Sequence, residues 1–116
     1  MKNANNDFGS SNGTLDYYRH SLSGLHFTDG VRDLAEACQS YWLIDLILSY
    51  QANPKFAEEP FQVWELSRKT GNAFVIICHD GNCNRIDRQI IPFSDFPYDK
   101  ATLWLSYGVL ILPVEY

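Results

Sequence analysis

The densest run of reactive side chains is Cys78-His79-Asp80-Gly81-Asn82-Cys83, which places two thiols, an imidazole and a carboxylate within six residues. Thiolate and imidazole are common zinc ligands. Structural zinc, however, usually takes one pair from a knuckle with about two to four intervening residues and a second pair from elsewhere. The third cysteine, Cys38, stands alone, and the other imidazoles are His20 and His26. No metal site and no cofactor are therefore expected; Cys78, His79 and Cys83 are the residues from which a metal site would have to start. If Asp80-Gly81 is a two-residue turn, Cys78 and Cys83 face each other across a hairpin, near enough for a strained disulfide. Free thiols packed as small apolar residues are the plainer expectation.

A second group, Tyr17-Tyr18-Arg19-His20, offers two phenols, a guanidinium that can clamp a carboxylate or phosphate, and a titratable imidazole. These four residues are the candidate binding site, weighed against the simpler role of anchoring an arm to the core through aromatic rings. Asp45 stands alone in an apolar stretch. Burial there would raise its pKa and suit it to acid catalysis, whereas a hydrogen-bonding anchor is the commoner role for such a residue. The chain has no Gly-rich phosphate loop, no HExxH and no recognisable Ser-His-Asp motif order, so no catalytic residue is assigned. Trp64 and Trp104 have the flat faces that stack on bases, but no basic surface accompanies them.

The elements that must position these groups follow from apolar periodicity. Residues 1–13 are rich in Asn, Ser and Gly and read as a disordered tail, leaving residues 14–116 as a single α+β domain. Residues 14–27 lack a clean period and read as an extended or irregular arm. Thr28 or Asp29 can cap a helix, and Val31, Leu34, Ala35, Cys38, Tyr41 and Trp42 recur at helical spacing. One long helix reaching about residue 51 is expected, ended by Asn53-Pro54. Its second half is apolar almost all round. Residues 61–68, 73–79 and 83–91 then form a three-stranded meander with turns at Lys69-Thr70-Gly71-Asn72 and Asp80-Gly81-Asn82. After a proline-containing loop at residues 92–100, a last hairpin joins 102–105 to 109–112. The expected architecture is this helix packed on an antiparallel sheet of about five strands.

Composition narrows the function classes. With 46% hydrophobic residues, the 116-residue chain can bury one core. Nine Lys and Arg against fourteen Asp and Glu give a charge of -5, the wrong sign for a protein that gains affinity by neutralising phosphates, so nucleic acid is disfavoured. No apolar run reaches the roughly 20 residues needed to cross a bilayer. No secretory signal follows Met1, and the odd cysteine count fits a reducing compartment, so a cytoplasmic location is expected.

One conflict in the pattern bears on function. Residues 73–77 and 109–112 are apolar at both alternating sets of positions, so both sheet faces want cover, and one helix covers only one. The second face should take the arm, a second copy of the chain or another protein. A homodimer or a protein-binding face is therefore expected.

The ordered motifs Tyr17-Tyr18-Arg19-His20, Phe27-Thr28-Asp29-Gly30-Val31, Tyr41-Trp42-Leu43-Ile44-Asp45, Phe61-Gln62-Val63-Trp64, Asp95-Phe96-Pro97 and Leu112-Pro113-Val114-Glu115-Tyr116 resemble an uncharacterised family of small proteins of bacterial, plasmid and phage genomes. The resemblance covers nearly all of the chain after its tail. It implies a cytoplasmic accessory protein of a mobile-element context and supplies no reaction. One concrete form is an inhibitor of a host defence system, such as an anti-CRISPR protein; the alternative is a small metal- or ligand-dependent enzyme using His20, Asp45 and the Cys78–Cys83 hairpin.

Overall fold

The computed structural model describes residues 2–8, 16–21, 23–80, 82 and 84–115. Strands β1 (Tyr17–Arg19) and β2 (His26–Thr28) lead into helices α1 (Asp29–Cys38), α2 (Tyr41–Ser49) and α3 (Pro54–Ala57). Strands β3 (Phe61–Thr70), β4 (Ala73–Asp80), β5 (Arg85–Ile91), β6 (Lys100–Ser106) and β7 (Val109–Ile111) follow. All seven strands join one sheet in the order β1-β2-β7-β6-β3-β4-β5.

The expectation of one long helix is corrected. Gln39 adopts left-handed φ and ψ of 51° and 46°, its N–H bonds back to the carbonyls of Ala35 and Glu36, and the chain restarts as α2 at Tyr41. Geometry explains the break. Helix α1 buries Val31, Leu34, Ala35 and Cys38, whereas α2 buries Leu43, Ile44, Ile47 and Leu48. In one continuous helix, position 45 would lie about two turns beyond Cys38 and on the same face, driving Asp45 into the core. Interrupting the helix turns Leu43, Ile44, Ile47 and Leu48 inward and leaves Asp45 outside, 64% exposed.

The five-stranded antiparallel sheet is corrected as well. The arm expected at residues 14–27 supplies two further strands through its described residues. Strand β1 pairs with β2 antiparallel, and β2 then pairs parallel to β7, with His26 beside Val109 and Phe27 beside Leu110. The sheet is thus mixed, and its parallel pair joins segments more than eighty residues apart. Residues 2–8, within the segment expected as a tail, also take defined positions. Asn3 bridges to Lys100, and the Asn5 side chain exchanges two hydrogen bonds with the backbone of Thr102, at 2.7 and 2.8 Å.

Among the described residues, helices α1–α3 cover one face of the sheet. Trp64, Leu66, Phe74, Ile76, Cys78, Leu103, Leu105 and Leu110 point to that side and form a core with Val31, Leu34, Leu43, Ile47, Leu48 and Phe56. At the far end of the chain, Glu115 returns to the start of α1. Its Oε1 accepts from Thr28 Oγ at 2.6 Å and from the Leu112 N–H at 2.9 Å. Thr28 Oγ in turn accepts from the Val31 N–H, so one hydroxyl both caps the helix and holds the C-terminal segment.

Candidate functional site

Two places could do work: a cavity on the helix side of the sheet and the opposite sheet face, which helices α1–α3 leave uncovered. The cavity begins at the turn between β1 and β2. The His20 N–H donates to the Leu25 carbonyl at 2.7 Å and the Gly24 N–H to the His20 carbonyl at 2.8 Å, with Gly24 at φ +75°. This turn presses the His20 ring against α2, where it is buried and its Nε2 lies 2.8 Å from Asp45 Oδ1. Its Nδ1 lies 2.8 Å from Ser23 Oγ and accepts the Ser23 N–H at 3.2 Å. A backbone N–H can only donate, so Nδ1 is the acceptor and the ring proton sits on Nε2, facing Asp45. Ser23 Oγ therefore donates to Nδ1 and itself accepts the Leu25 N–H at 3.2 Å.

The resulting order of hydrogen bonds, Ser23 to His20 to Asp45, is that of a nucleophile relay. Ser23 Oγ also closes the turn by accepting from Leu25, so it serves the loop as much as any reaction. What the relay provides is an imidazole fixed in place at the wall of a cavity of about 770 Å3. The rest of the cavity is lined by Leu25, Leu48, Ala57, Pro60 and Leu105, by the polar Gln51 and Glu59, and by Tyr107.

The four residues expected to form a binding site do not converge. Tyr17 is exposed, and Tyr18 stacks on Phe27 with ring centroids 5.7 Å apart and accepts a hydrogen bond from Arg32. Arg19 is exposed, and of the four His20 alone enters the cavity wall. Asp45 is the hydrogen-bonding anchor and not a buried acid. Of the groups the enzyme alternative would join to it, His20 is bonded to Asp45, whereas Cys78 and His79 are consecutive strand residues and point to opposite faces of the sheet. The Cys78 thiol is a free, buried group pushed up to about 12 by burial, and Cys38 is pushed up to about 11 for the same reason. Neither suits thiolate chemistry at neutral pH. Cys78 is opposite Asp87 in the β4–β5 register, and Cys83 lies outside the described residues. Among the described residues, no cluster of three or more His, Cys, Asp or Glu could hold a metal ion.

Sequence reasoning missed Ser23, although His20-x-x-Ser23 spans one turn, and it missed Gln62. The buried Gln62 side chain accepts from Trp64 Nε1 at 3.0 Å and exchanges two 2.9 Å bonds with Gln51. It also donates to the Phe56 carbonyl at 2.8 Å. This network fixes the floor beside the cavity. A polar residue at an inward strand position was the only sign of it.

The helix-free face is built from the alternate strand positions. Val63, Glu65 and Ser67 of β3 stand beside His79, Ile77 and Val75 of β4, which in turn stand beside Arg85, Arg88 and Ile90 of β5. Val63, Val75 and Ile111 are buried on this side, apart from the main core, and Ile90 is exposed. A shallow groove of about 480 Å3 runs over Val63, Glu65, His79 and Thr102 to Val114. Within it, His79 Nε2 lies 3.2 Å from Glu65 Oε1 and Nδ1 lies 3.0 Å from the Asp80 carbonyl. Burial opposes the charge on His79, but these two acceptors outweigh it and its pKa is raised.

No curated protein and no solved structure matches this chain. A family model described as a family of unknown function, DUF6876, matches residues 2–116, so the resemblance extends through most of the segment read as a tail. The chain belongs to the DUF6876 family.

Proposed function

We propose that this chain is a non-enzymatic accessory protein that binds another protein through the helix-free face of its sheet. The observation that carries the reading is the exposed Ile90 and half-buried Ile77, which lie over Val63, Val75 and Ile111 on a face outside the main core. The described strands of the arm extend the sheet sideways at β2–β7 and so do not lie on this face. Charge favours a heterologous partner. Arg85 and Arg88 stand on this face at the β5 side and Lys100 at the β6 side, in a chain whose net charge is -5. An acidic rim on a partner would complement them. Action in the bacterial cytoplasm as an inhibitor of a host defence system is the form suggested by the resemblance.

The test is affinity purification with the full chain and with the variant Arg88→Glu/Ile90→Glu. Support requires a captured protein that the variant loses, together with slowed amide exchange in β4 and β5 of the complex. A protein retained equally by the variant, or protection confined to the helix side, would refute this use of the face. Concentration-dependent sedimentation abolished by the same variant would put a second copy of the chain there instead.

A further inference from the structure

The cavity beside His20 lies on the helix side of the sheet, away from the face assigned to a partner protein. Its volume of about 770 Å3 falls within the usual range for small-molecule sites, and its walls are mainly apolar. Two features set the chemistry of a ligand. Glu59 lines the cavity with a half-buried side chain whose carboxylate makes no hydrogen bond or ion pair with a described residue. Among the described residues, no Lys or Arg lines the cavity to neutralise it, and a carboxylate partly withdrawn from water gains most from a cation held against it.

The rim supplies a third, independent observation. Tyr107 occupies the first position of the β6–β7 turn with φ +49°, followed by Gly108 at +83°. Asn or Gly takes that conformation with less strain than a bulky side chain. The Tyr107 ring is 80% exposed, so packing within the fold does not compensate for the backbone it requires. A strained, exposed aromatic at the edge of a cavity is what a ligand contact would retain.

We infer that this cavity is a binding site for a small arylalkylamine, a flat apolar body carrying a protonated nitrogen. The body packs against Leu25, Leu48 and Leu105, the ammonium pairs with Glu59, and the Tyr107 ring closes over the mouth, where its face can also attract the cation. His20 is a positioning residue. Its hydrogen bonds to Asp45 and Ser23 hold the β1–β2 turn at the cavity wall.

The experiment titrates the isotope-labelled full chain with tryptamine and phenethylamine, and with indole-3-propionate, which keeps the indole ring and reverses the charge. Amide shifts are expected at Ser23, Leu25, Ala57 and Gly108, with tryptamine bound at least about tenfold more tightly than the acid, a difference of about 1.4 kcal/mol. Glu59→Gln should bring the two indoles to within about twofold of each other. Tyr107→Asn should weaken tryptamine severalfold while raising the melting temperature, a combination that a purely structural tyrosine would not give. Four results would overturn the assignment: no shift at these residues with either amine at millimolar concentration, equal binding of acid and amine, binding indifferent to Glu59→Gln, or a lowered melting temperature for Tyr107→Asn.

Discussion

The two faces of the sheet share the same strands but follow different rules. On the helix side, a polar group deep in the core is met by several partners: the buried Gln62 amide meets Trp64, Gln51 and the Phe56 carbonyl. On the other side, valines and isoleucines alternate with Glu65, Ser67, Thr102 and His79, and groups there keep contact with water. The difference shows that an apolar strand residue does not have one meaning. Leu66 is apolar because a helix lies on it; Ile90 is apolar and half in solvent, so its type calls for another explanation.

The largest expected effect lies on the helix side. Trp64→Ala should cost about 3–5 kcal/mol in denaturant unfolding, through the lost ring contacts and the cavity left behind. Gln62→Ala should follow at about 2–3 kcal/mol, because it strands the Trp64 N–H and removes both Gln62 bonds of the Gln51 side chain, which keeps only the Ile47 carbonyl. If either proved as mild as a surface change, the contrast between the faces would collapse. Gly30→Ala sharpens it at the margin of the helix layer. Alanine favours a helix over glycine by about 1 kcal/mol, but its Cβ would come within 2.4 Å of Glu115 Oε2. A net loss of stability in thermal melts is expected, with the loss disappearing in a Glu115→Ala background.

Smaller effects belong to the open face. The folded-state pKa of His79 is raised above its ordinary value of 6.5. The stabilisation it draws from the Asp80 carbonyl and Glu65 is therefore full below that value and fades as pH rises through the folded pKa. Unfolding measured across that interval should show a slight decline, reduced in Glu65→Gln. Smallest of all, Ile90→Glu should leave folding stability within about 0.5 kcal/mol of the parent, a result that would mark Ile90 as dispensable to the fold itself.

Sequence patterning reached the β3–β4–β5 meander and the β6–β7 hairpin because local turns and alternation encode them; Gly71, with φ +55°, sits at the bend expected between residues 69 and 72. It also reached the two-sided apolar character of β4. The helix break was hidden because Gln39, and not Gly or Asn, takes the left-handed stop. Strands β1 and β2 were hidden for another reason. Each has three residues; β1 pairs with β2, and β2 depends on the parallel strand β7 more than eighty residues away, which leaves no local trace. The His20–Asp45 pair bridges twenty-five positions, so His20 and Asp45 were visible as residue types and their meeting was not.

The junction of β2 with β7 and of Glu115 with Thr28 has a consequence for synthesis. During translation, β1 and β2 can pair with each other and reach α2 through His20, but β2 cannot join the sheet until β7 has cleared the ribosome. The meander can form first, as a local nucleus, while β2 waits for its partner strand. A fusion placed directly after residue 115 would crowd the latch onto α1, and a truncation before residue 109 would remove both the partner strand of β2 and the latch on Thr28, opening the β1–β2 arm to proteases.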